Sequence, residues 1–441
     1  MSIVLQGKTV LVAGMAKSGL AAVDLLRKHG ATVIACDTKE LAELPPATRD
    51  RLAGLEFRVQ NASAFEGIDL AVLSPGVPLD VVPAGVPVTG EVELSSHFLR
   101  GPHLGITGSN GKTTTTSMIG HILRHAGVAC QVGGNIGTPP AAMVETSRDG
   151  QWNVLELSSY QLETVEHFSA SIGVCLNVTP DHLDRHKTME NYAAAKGRLF
   201  ATLPNTGFAV LNADDEYCRQ YTARTNAATR WFSLRANPGG QSMWLDGDAV
   251  RFGNDVFVHT AELPLRGLHN VENVMAASLA AILAGAPVDK VREGVLSFHG
   301  VEHRLEFVRK VRGVDYFNDS KATNVDATLK ALQAFPGGLW VILGGKDKDS
   351  DYTLLRELLS QRARGVFLIG AAAGKIAAQI AGACPVEQAG TIQEAVHRAS
   401  QRATAGDTVL LAPACASFDQ FDSYEHRGRV FKTLVQELKK A

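Results

Sequence analysis

Short β-branched apolar runs alternate with amphipathic stretches along the chain, and glycine marks the joints between them. Thr9 to Ala13 reads as a strand; after a glycine-containing turn a helical pattern runs from Leu20 to His29, with Gly30 as its C-cap. Thr32 to Ala35 is the next strand and leads into Asp37, and Leu70 to Leu73 is another, meeting the turn Ser74-Pro75-Gly76. Strand, turn and helix repeat here as in a parallel α/β sheet. From Leu104 a new unit starts with a brief strand, the glycine-rich segment Gly105 to Thr114, and a helix to about Ala126 ended by Gly127. Apolar strands follow over Val154 to Leu157 and Ile172 to Val178. Between Trp231 and Glu262 residues alternate around Asp246-Gly247 and Gly253-Asn254, which predicts a small antiparallel patch, and an alanine-rich helix from Val271 to Ala284 closes the unit. Beyond Gly300, strands near Leu339 to Leu343, Val366 to Ile369 and Thr408 to Leu411 are separated by helical patterns. The pattern predicts an α/β protein of three domains, 1–92, 93–300 and 301–441, with the antiparallel patch in the middle one.

Composition agrees with that division. A chain of 441 residues corresponds to roughly three domains at about 150 residues each. Its 45% apolar and 20% charged residues set aside disordered, collagen-like and coiled-coil classes. Lys and Arg number 43 against 45 Asp and Glu, so no overall field draws the chain to nucleic acid or an anionic membrane, and anionic ligands must be caught locally. The six cysteines form no C-x-x-C pair, no basic-then-apolar leader opens the sequence, and no apolar run approaches the ~20 residues that span a bilayer. The expectation is a reduced, cytoplasmic protein without membrane insertion.

The strongest chemical signal is the loop at 105–114. A strand feeding a helix through glycines points several backbone N–H groups at one anion, and phosphate is the natural guest. The spacing is G-x-x-G-x-x-G-K-T rather than the strict G-x-x-x-x-G-K-[ST], because Ile106 stands five residues before Gly111. Lys112 would reach the β and γ phosphates of a nucleotide and Thr113 would offer a hydroxyl to Mg²⁺. An ordinary glycine turn with an exposed lysine is the plain alternative. Glu156, in the apolar run Val154 to Leu157, is a carboxylate that needs a partner. A metal would supply one, as would an Arg or a serine cap.

Past the strand at Ile172, Asn177-Val178-Thr179-Pro180-Asp181-His182-Leu183-Asp184-Arg185-His186 gathers imidazoles and carboxylates. With no H-E-x-x-H and no nearby cysteine, a hard, oxygen-preferring ion with one imidazole suits it better than Zn²⁺. A solvated turn with a helix N-cap at Thr179 or Asp181 reads equally well. The first turn, Gly14-Met15-Ala16-Lys17-Ser18-Gly19 with Asp37 downstream, approaches the dinucleotide fingerprint but has Ala16 where the backbone should meet a pyrophosphate. That argues against NAD or FAD and for another nucleotide diphosphate at the helix start, or for a tight turn alone. In the third unit His303-Arg304, Asn318 to Asn324, and Gly344-Gly345-Lys346-Asp347-Lys348 stand at strand ends where a ligand crevice forms. Lys346 and Lys348 also read as a solvated loop, and Cys415, in Pro413 to Ser417, has no activating neighbour.

Taken in order, Thr107 to Thr113, Glu156 to Glu163, Asn177 to His182, His269-Asn270, His303-Arg304, Asn318 to Asn324 and Ser417 resemble the Mur ligase family over almost the whole chain. The segments Glu156 to Glu163, Asp319 to Asn324 and Ala414 to Ser417 resemble its D-glutamate-adding branch, and the D-[DN]-P-R motif of the diaminopimelate- or lysine-adding branch is absent. The resemblance implies Rossmann-like first and third domains around a P-loop ATPase-like middle one. It also implies an ADP-forming ligase that joins D-glutamate to UDP-N-acetylmuramoyl-L-alanine through an acyl phosphate in peptidoglycan precursor synthesis, acting as a monomer.

Residue by residue, the resemblance implies that Gly108, Ser109, Asn110, Gly111, Lys112, Thr113 and Thr114 hold the ATP phosphates, with Asn273 and Arg304 also at the nucleotide and Asp319 near its ribose. Thr113, Glu156 and His182 would face Mg²⁺, and Lys196 matches a lysine the family carbamylates to hold a second Mg²⁺. Lys112, Glu156, His182 and Lys196 are thus the catalytic candidates. Lys17, Ser18, Asp37, Thr38 and Gly76 match the UDP site, reached by Asn135; Thr323, Lys348 and Ser417 match the D-glutamate site, where Tyr424 stands in place of the family's Phe. A folylpolyglutamate synthase-like ligase is disfavoured by the ~90-residue α/β unit ahead of the loop, which such enzymes lack in comparable form. A non-catalytic nucleotide-binding module would not need Glu156, His182 and Lys196 together.

Overall fold

Strand β1 (Thr9–Ala13) has Val10 to Ala13 fully buried, as expected of a parallel strand covered on both faces. Val10 and Val12 pack with Leu25 and Leu26 of the helix Lys17–Lys28, while Leu11 and Ala13 pack on the other side with Phe65; side chains alternate across the sheet with period two. With β2 (Thr32–Asp37), β3 (Glu56–Val59), β4 (Leu70–Leu73) and β5 (Val88–Gly90) it forms an all-parallel sheet of order β3-β2-β1-β4-β5. The order reverses between β1 and β4, so the loops after these two strands splay apart and leave a crevice. The structure, a computed structural model, describes residues 3–265, 267–347 and 350–438.

Nine strands build the second sheet: β6 (His103–Thr107), β7 (Cys130–Gly134), β8 (Trp152–Glu156), β9 (Ile172–Cys175), β10 (Phe208–Asn212), β11 (Ala228–Ser233), β12 (Met243–Asp246), β13 (Ala249–Phe252) and β14 (Asp255–His259). Their order is β14-β13-β12-β11-β10-β9-β6-β8-β7, parallel from β7 through to β12. The antiparallel patch expected around Asp246-Gly247 and Gly253-Asn254 is present, as hairpins β12-β13 and β13-β14. It is not separate, however: it extends the edge of the parallel sheet, and Trp231, expected to open it, lies in β11 opposite Leu211 of β10. The expected strand from Ile172 ends at Cys175, three residues early, because Leu176 to Thr179 turn away to meet the glycine-rich loop.

The third sheet has β15 (Glu306–Val311), β16 (Val314–Asn318), β17 (Leu339–Gly344), β18 (Ala363–Ile369), β19 (Val386–Gly390) and β20 (Thr408–Leu411), in the order β15-β16-β20-β17-β18-β19. All neighbours are parallel except the hairpin β15-β16, which turns through Arg312 (φ 50°) and Gly313 (φ 80°), the two positive φ values a tight hairpin requires. The strand order reverses between β20 and β17.

Two compact units result: residues up to Phe298, containing the first two sheets, and residues from His299 onward, containing the third. Inside the first unit the short helix Glu91–Ser96 ties the sheets together. The Glu93 carboxylate accepts the backbone N–H groups of Glu166, His167 and Phe168, and Glu91 Oε1 accepts that of Ala141 at 2.6 Å. Among the described residues no helix is long and apolar enough to cross a membrane.

Candidate active site

The loops after the adjacent strands β6 and β9 are hydrogen-bonded to each other, and β8 ends beside β6 with Glu156 opposite Ile106. Gly111 (φ 83°) opens the helix Lys112–His125, and a Cβ there would stand 2.3 Å from Asn273 Oδ1. Left-handed backbone and a close neighbour both require glycine at this position. The loop after β9 holds the arch from outside: Ser109 N–H donates to the Asn177 carbonyl at 2.9 Å, Asn110 N–H donates to Asn177 Oδ1 at 2.8 Å, and Ser109 Oγ donates to the Thr179 carbonyl at 2.9 Å. Tyr192 OH lies 3.0 Å from the same Oγ. A loop fixed this way presents preset N–H groups at a helix start, where an anion is favoured.

Two lysines meet at one carbonyl. Lys112 Nζ donates to the carbonyls of Gly108 and Ser109, both at 2.8 Å, and Lys196 Nζ donates to that of Gly108 at 2.9 Å. Lys196, on the helix Met189–Ala201, is 1% exposed, lies over the Tyr192 ring at 4.5 Å, and has no carboxylate within ion-pair distance among the described residues. Burial, together with the Lys112 charge, pulls its pKa down to about 7. Although it stands on a helix, the Lys196 amine is inside, and its burial favours the neutral form.

Glu156 closes β8 with its side chain buried. Oε1 accepts from Asn135 Nδ2 at 2.7 Å, whereas Oε2 is buried with no hydrogen-bond partner. Neither an Arg nor a serine cap takes that oxygen, so a donor or cation is wanting there. Among the described residues no group of three His, Cys, Asp or Glu side chains is assembled for a metal. Mg²⁺ does not demand one, since it takes one or two carboxylates and completes its shell with phosphate oxygens and water. Glu156 and the buried Thr113 in the first turn after Gly111 fit that donor set.

His182 (φ 53°) stands half exposed, with Nε2 3.5 Å from Asp181 Oδ2 and its ring 4.8 Å from that of Tyr160. Neither Thr179 nor Asp181 caps a helix: Leu183–His186 is preceded by His182 without a side-chain cap, and Thr188 caps the next helix. His186 is buried against Ser159 Oγ at 2.9 Å, and burial pulls its pKa down.

The UDP candidates of the first sheet stand at or just past the carboxyl ends of β1, β2 and β4. Lys17 and Ser18 begin the helix after β1, Asp37 ends β2 and Thr38 follows it, and Gly76 lies in the loop after β4. Asp37 Oδ2 accepts the Met15 N–H at 2.7 Å, so the carboxylate also braces the first turn. Gly19 lets the helix approach: a Cβ there would stand 1.9 Å from the Gly14 carbonyl oxygen. Asn135, a UDP candidate by resemblance, is bonded to Glu156 through both its side chain and its backbone N–H.

In the second unit, Asp319 Oδ1 accepts the Leu305 N–H at 3.2 Å, beside Arg304, and burial raises its pKa to about 6 against the pull of the Arg304 and Lys321 charges. Ser417 follows β20, Thr323 lies beyond β16, and Tyr424 opens the helix Tyr424–Glu437. Tyr424 makes an edge contact with the buried His303 ring at 6.2 Å. Lys348 lies outside the described residues. Cys415 is buried against Tyr352 OH, and burial raises its thiol to about 11, in keeping with no nucleophilic role. The clamp residues Asn177, Thr179 and Tyr192, and the Asn135 partner of Glu156, were not assigned these tasks from sequence; position just past a strand neighbouring the loop is the signal available for the first two.

Residues 106–281 match the Mur ligase middle domain and residues 303–415 the Mur ligase glutamate ligase domain. The UDP-N-acetylmuramoylalanine–D-glutamate ligase of Solibacter usitatus is 58% identical over 98% of this chain and 99% of its own, and that of Acidobacterium capsulatum 50% identical over 98% and 96%. The fold is shared with the solved UDP-N-acetylmuramate-alanine ligase of Thermotoga maritima (TM-score 0.59, 18% identity, 98% of this chain and 100% of that one). It is shared too with a solved UDP-N-acetylmuramoyl-L-alanyl-D-glutamate–2,6-diaminopimelate ligase (TM-score 0.59, 20% identity, 98% and 93%). With three sheets of this topology and the phosphate loop, buried lysine and carboxylate in place, the chain belongs to the Mur ligase family, in the branch of the UDP-N-acetylmuramoylalanine–D-glutamate ligases.

Proposed function

We propose that the protein joins the amine of D-glutamate to the carboxylate of UDP-N-acetylmuramoyl-L-alanine, converting ATP to ADP and phosphate, as a step of peptidoglycan precursor synthesis. The reading rests on its likeness to relatives of that name. The observation that carries it in the structure is the buried, unpartnered Glu156 oxygen at the end of β8, the strand beside the one that leads into a glycine-rich loop on which two lysines converge.

A carboxylate is a poor electrophile, so the γ-phosphoryl group first moves onto it, and the acyl phosphate then loses phosphate to the attacking amine. Phosphoryl transfer asks chiefly for positioning and charge neutralisation. Gly108 to Thr114 cradle the phosphates, Lys112 exchanges loop carbonyls for phosphate oxygens, and Asn273, Arg304 and Asp319 serve the nucleoside. Thr113, Glu156 and His182 would hold Mg²⁺, which would supply neutralisation of phosphate charge. Lys196 is suited to carbamylation: its neutral amine adds CO₂ and releases a proton, giving a carboxylate for a second Mg²⁺.

Lys17, Ser18, Asp37, Thr38 and Gly76 receive the UDP group, with Asn135 reaching it from the middle domain. Thr323, Lys348, Ser417 and Tyr424 take D-glutamate. On this reading 1–92 serves UDP, 93–300 serves ATP and 301–441 the incoming amino acid, in a cytoplasmic monomer; six free thiols suit a reducing compartment.

The test is phosphate release from ATP with each substrate omitted in turn. Release is expected only when UDP-N-acetylmuramoyl-L-alanine and D-glutamate are both present. Turnover indifferent to D-glutamate, or supported by a folate instead, would overturn the reading.

A further inference from the structure

Arg427 heads the largest fully buried side chains among the described residues, at 0% exposure, yet no carboxylate lies within ion-pair distance of it. Burying a guanidinium without a counter-charge is costly. Burial pulls its pKa down to about 10. What it receives in return is backbone. Nε donates to Ser320 Oγ at 3.0 Å and Nη2 to the Ser320 carbonyl at 2.9 Å; Nη1 and Nη2 each donate to the Cys415 carbonyl at 3.2 Å, and Nη1 lies 3.4 Å from that of Ala416.

These acceptors belong to two segments far apart in sequence: one follows β16 and the other follows β20. A third, after β17, is drawn in as well, since Lys346 N–H donates to the Ala416 carbonyl at 2.8 Å and a Cβ on Gly345 would stand 3.2 Å from Arg427 Nη1. Ser320 Oγ donates in turn to the Tyr424 carbonyl at 2.8 Å, which closes the circuit on the first turn of the helix that carries Arg427. The guanidinium thus sits beneath the reversal of strand order between β20 and β17, where an open α/β sheet binds its ligand.

We infer that Arg427 is a positioning residue for the incoming amino acid, clamping the segments that bear Ser417, Thr323 and Tyr424 into one binding surface. This rests on the assignment of those residues to D-glutamate. Fully enclosed, Arg427 does not touch the ligand; it acts through Ser320, Cys415 and Ala416. A lysine of similar reach cannot replace it, because a point charge does not span two backbone segments as a planar fork of five donors does. A hydrophobic side chain would fill the volume and leave the Ser320 and Cys415 carbonyls without the donor that joins them.

The experiment measures KM for each of the three substrates, and kcat, in the full-length wild type, Arg427→Lys, Arg427→Met and Ser320→Ala. Wild type comes first: absence of D-glutamate-dependent phosphate release defeats the assignment of function, and this inference with it. Given normal wild-type kinetics, Arg427→Lys and Arg427→Met are expected to raise KM for D-glutamate about tenfold, roughly the binding carried by one charged hydrogen bond, with KM for ATP and for the UDP substrate within about twofold. Ser320→Ala, a small change that removes the hydroxyl linking Arg427 Nε to the Tyr424 carbonyl and leaves the bonds to the backbone carbonyls, is expected to raise the same KM about threefold. It decides the matter where the arginine variants do not fold. A thermal destabilisation of the variants with all three KM values unchanged, or an equal rise in all three, overturns the inference and leaves Arg427 a structural strut.

Discussion

At Lys196 the surroundings, not the side chain, set the chemistry. A lysine 1% exposed beside a second lysine, with its pKa drawn to about 7, offers a neutral amine at a pH where an exposed lysine is fully protonated. Lys196→Ala is expected to lose activity by two or more orders of magnitude, on the order of what a positioned charge contributes to such a step, and added bicarbonate or a short carboxylate is expected to restore part of it. Undiminished turnover in the variant would remove the carbamate from the mechanism. Glu91 shows the opposite shift: full burial raises its pKa to about 7, and Oε2 has no partner. Between its ordinary value near 4.5 and 7 the folded state therefore binds more protons than the unfolded one, so the Glu91 contribution to stability is fully present below about pH 4.5 and is lost as pH rises through about 7. The fall amounts to about 3 kcal/mol. Glu91→Gln keeps an oxygen for the Ala141 N–H and removes the titration. Urea unfolding of the two proteins at pH 5 and pH 7.5 should show the variant gaining on the wild type at the higher pH; parallel behaviour would refute the assignment. The phosphate loop was legible because its parts are contiguous from Gly108 to Thr114. The pairs Asn135 with Glu156 and Arg427 with Ser320 were not, because nothing in residue type or spacing announces a contact across 21 or 107 positions.

At the scale of elements, glycines separate folding from function. Gly19 has the Gly14 carbonyl 1.9 Å from where its Cβ would be, whereas a Cβ on Gly76 would meet nothing within 4 Å. Gly19→Ala must therefore push the helix Lys17–Lys28 off the first turn and is expected to lower stability by roughly 1–3 kcal/mol, while also raising KM for the UDP substrate. Gly76→Ala is expected to leave thermal stability unchanged and raise that KM alone, because the added methyl obstructs only the ligand. Melting curves and substrate titrations of both variants check the contrast, and a Gly76→Ala protein with wild-type KM would take this loop out of the UDP site. Strands such as β1, β4 and β20 were readable as unbroken apolar runs. β3 (Glu-Phe-Arg-Val) and β19 (Val-Glu-Gln-Ala-Gly) were not, since half-exposed edge strands carry neither such a run nor clean alternation. The hairpin β15-β16 was hidden for a different reason: its turn places a non-glycine, Arg312, at positive φ.

Over the whole molecule, the apolar core is divided as the chain is. Val341, Leu343, Leu368 and Leu410 pack in the unit from His299 onward, while Leu155, Phe168, Leu199 and Leu211 pack in the unit that ends at Phe298. Each unit exceeds the roughly 100 residues at which a domain buries enough surface to fold on its own core. Heat should therefore melt the protein in two transitions rather than one, as multidomain chains commonly do. Truncating a fully buried side chain assigns them. Leu410→Ala is expected to destabilise the second unit by about 2–5 kcal/mol, and Phe168→Ala the first by about 3–5 kcal/mol, each moving one calorimetric transition and leaving the other in place. If ATP binds chiefly through Gly108 to Thr114, saturating ATP with Mg²⁺ raises the transition lowered by Phe168→Ala by more than it raises the other, since a ligand stabilises the state that holds it. A single transition displaced equally by both substitutions would mean that the units unfold as one cooperative body.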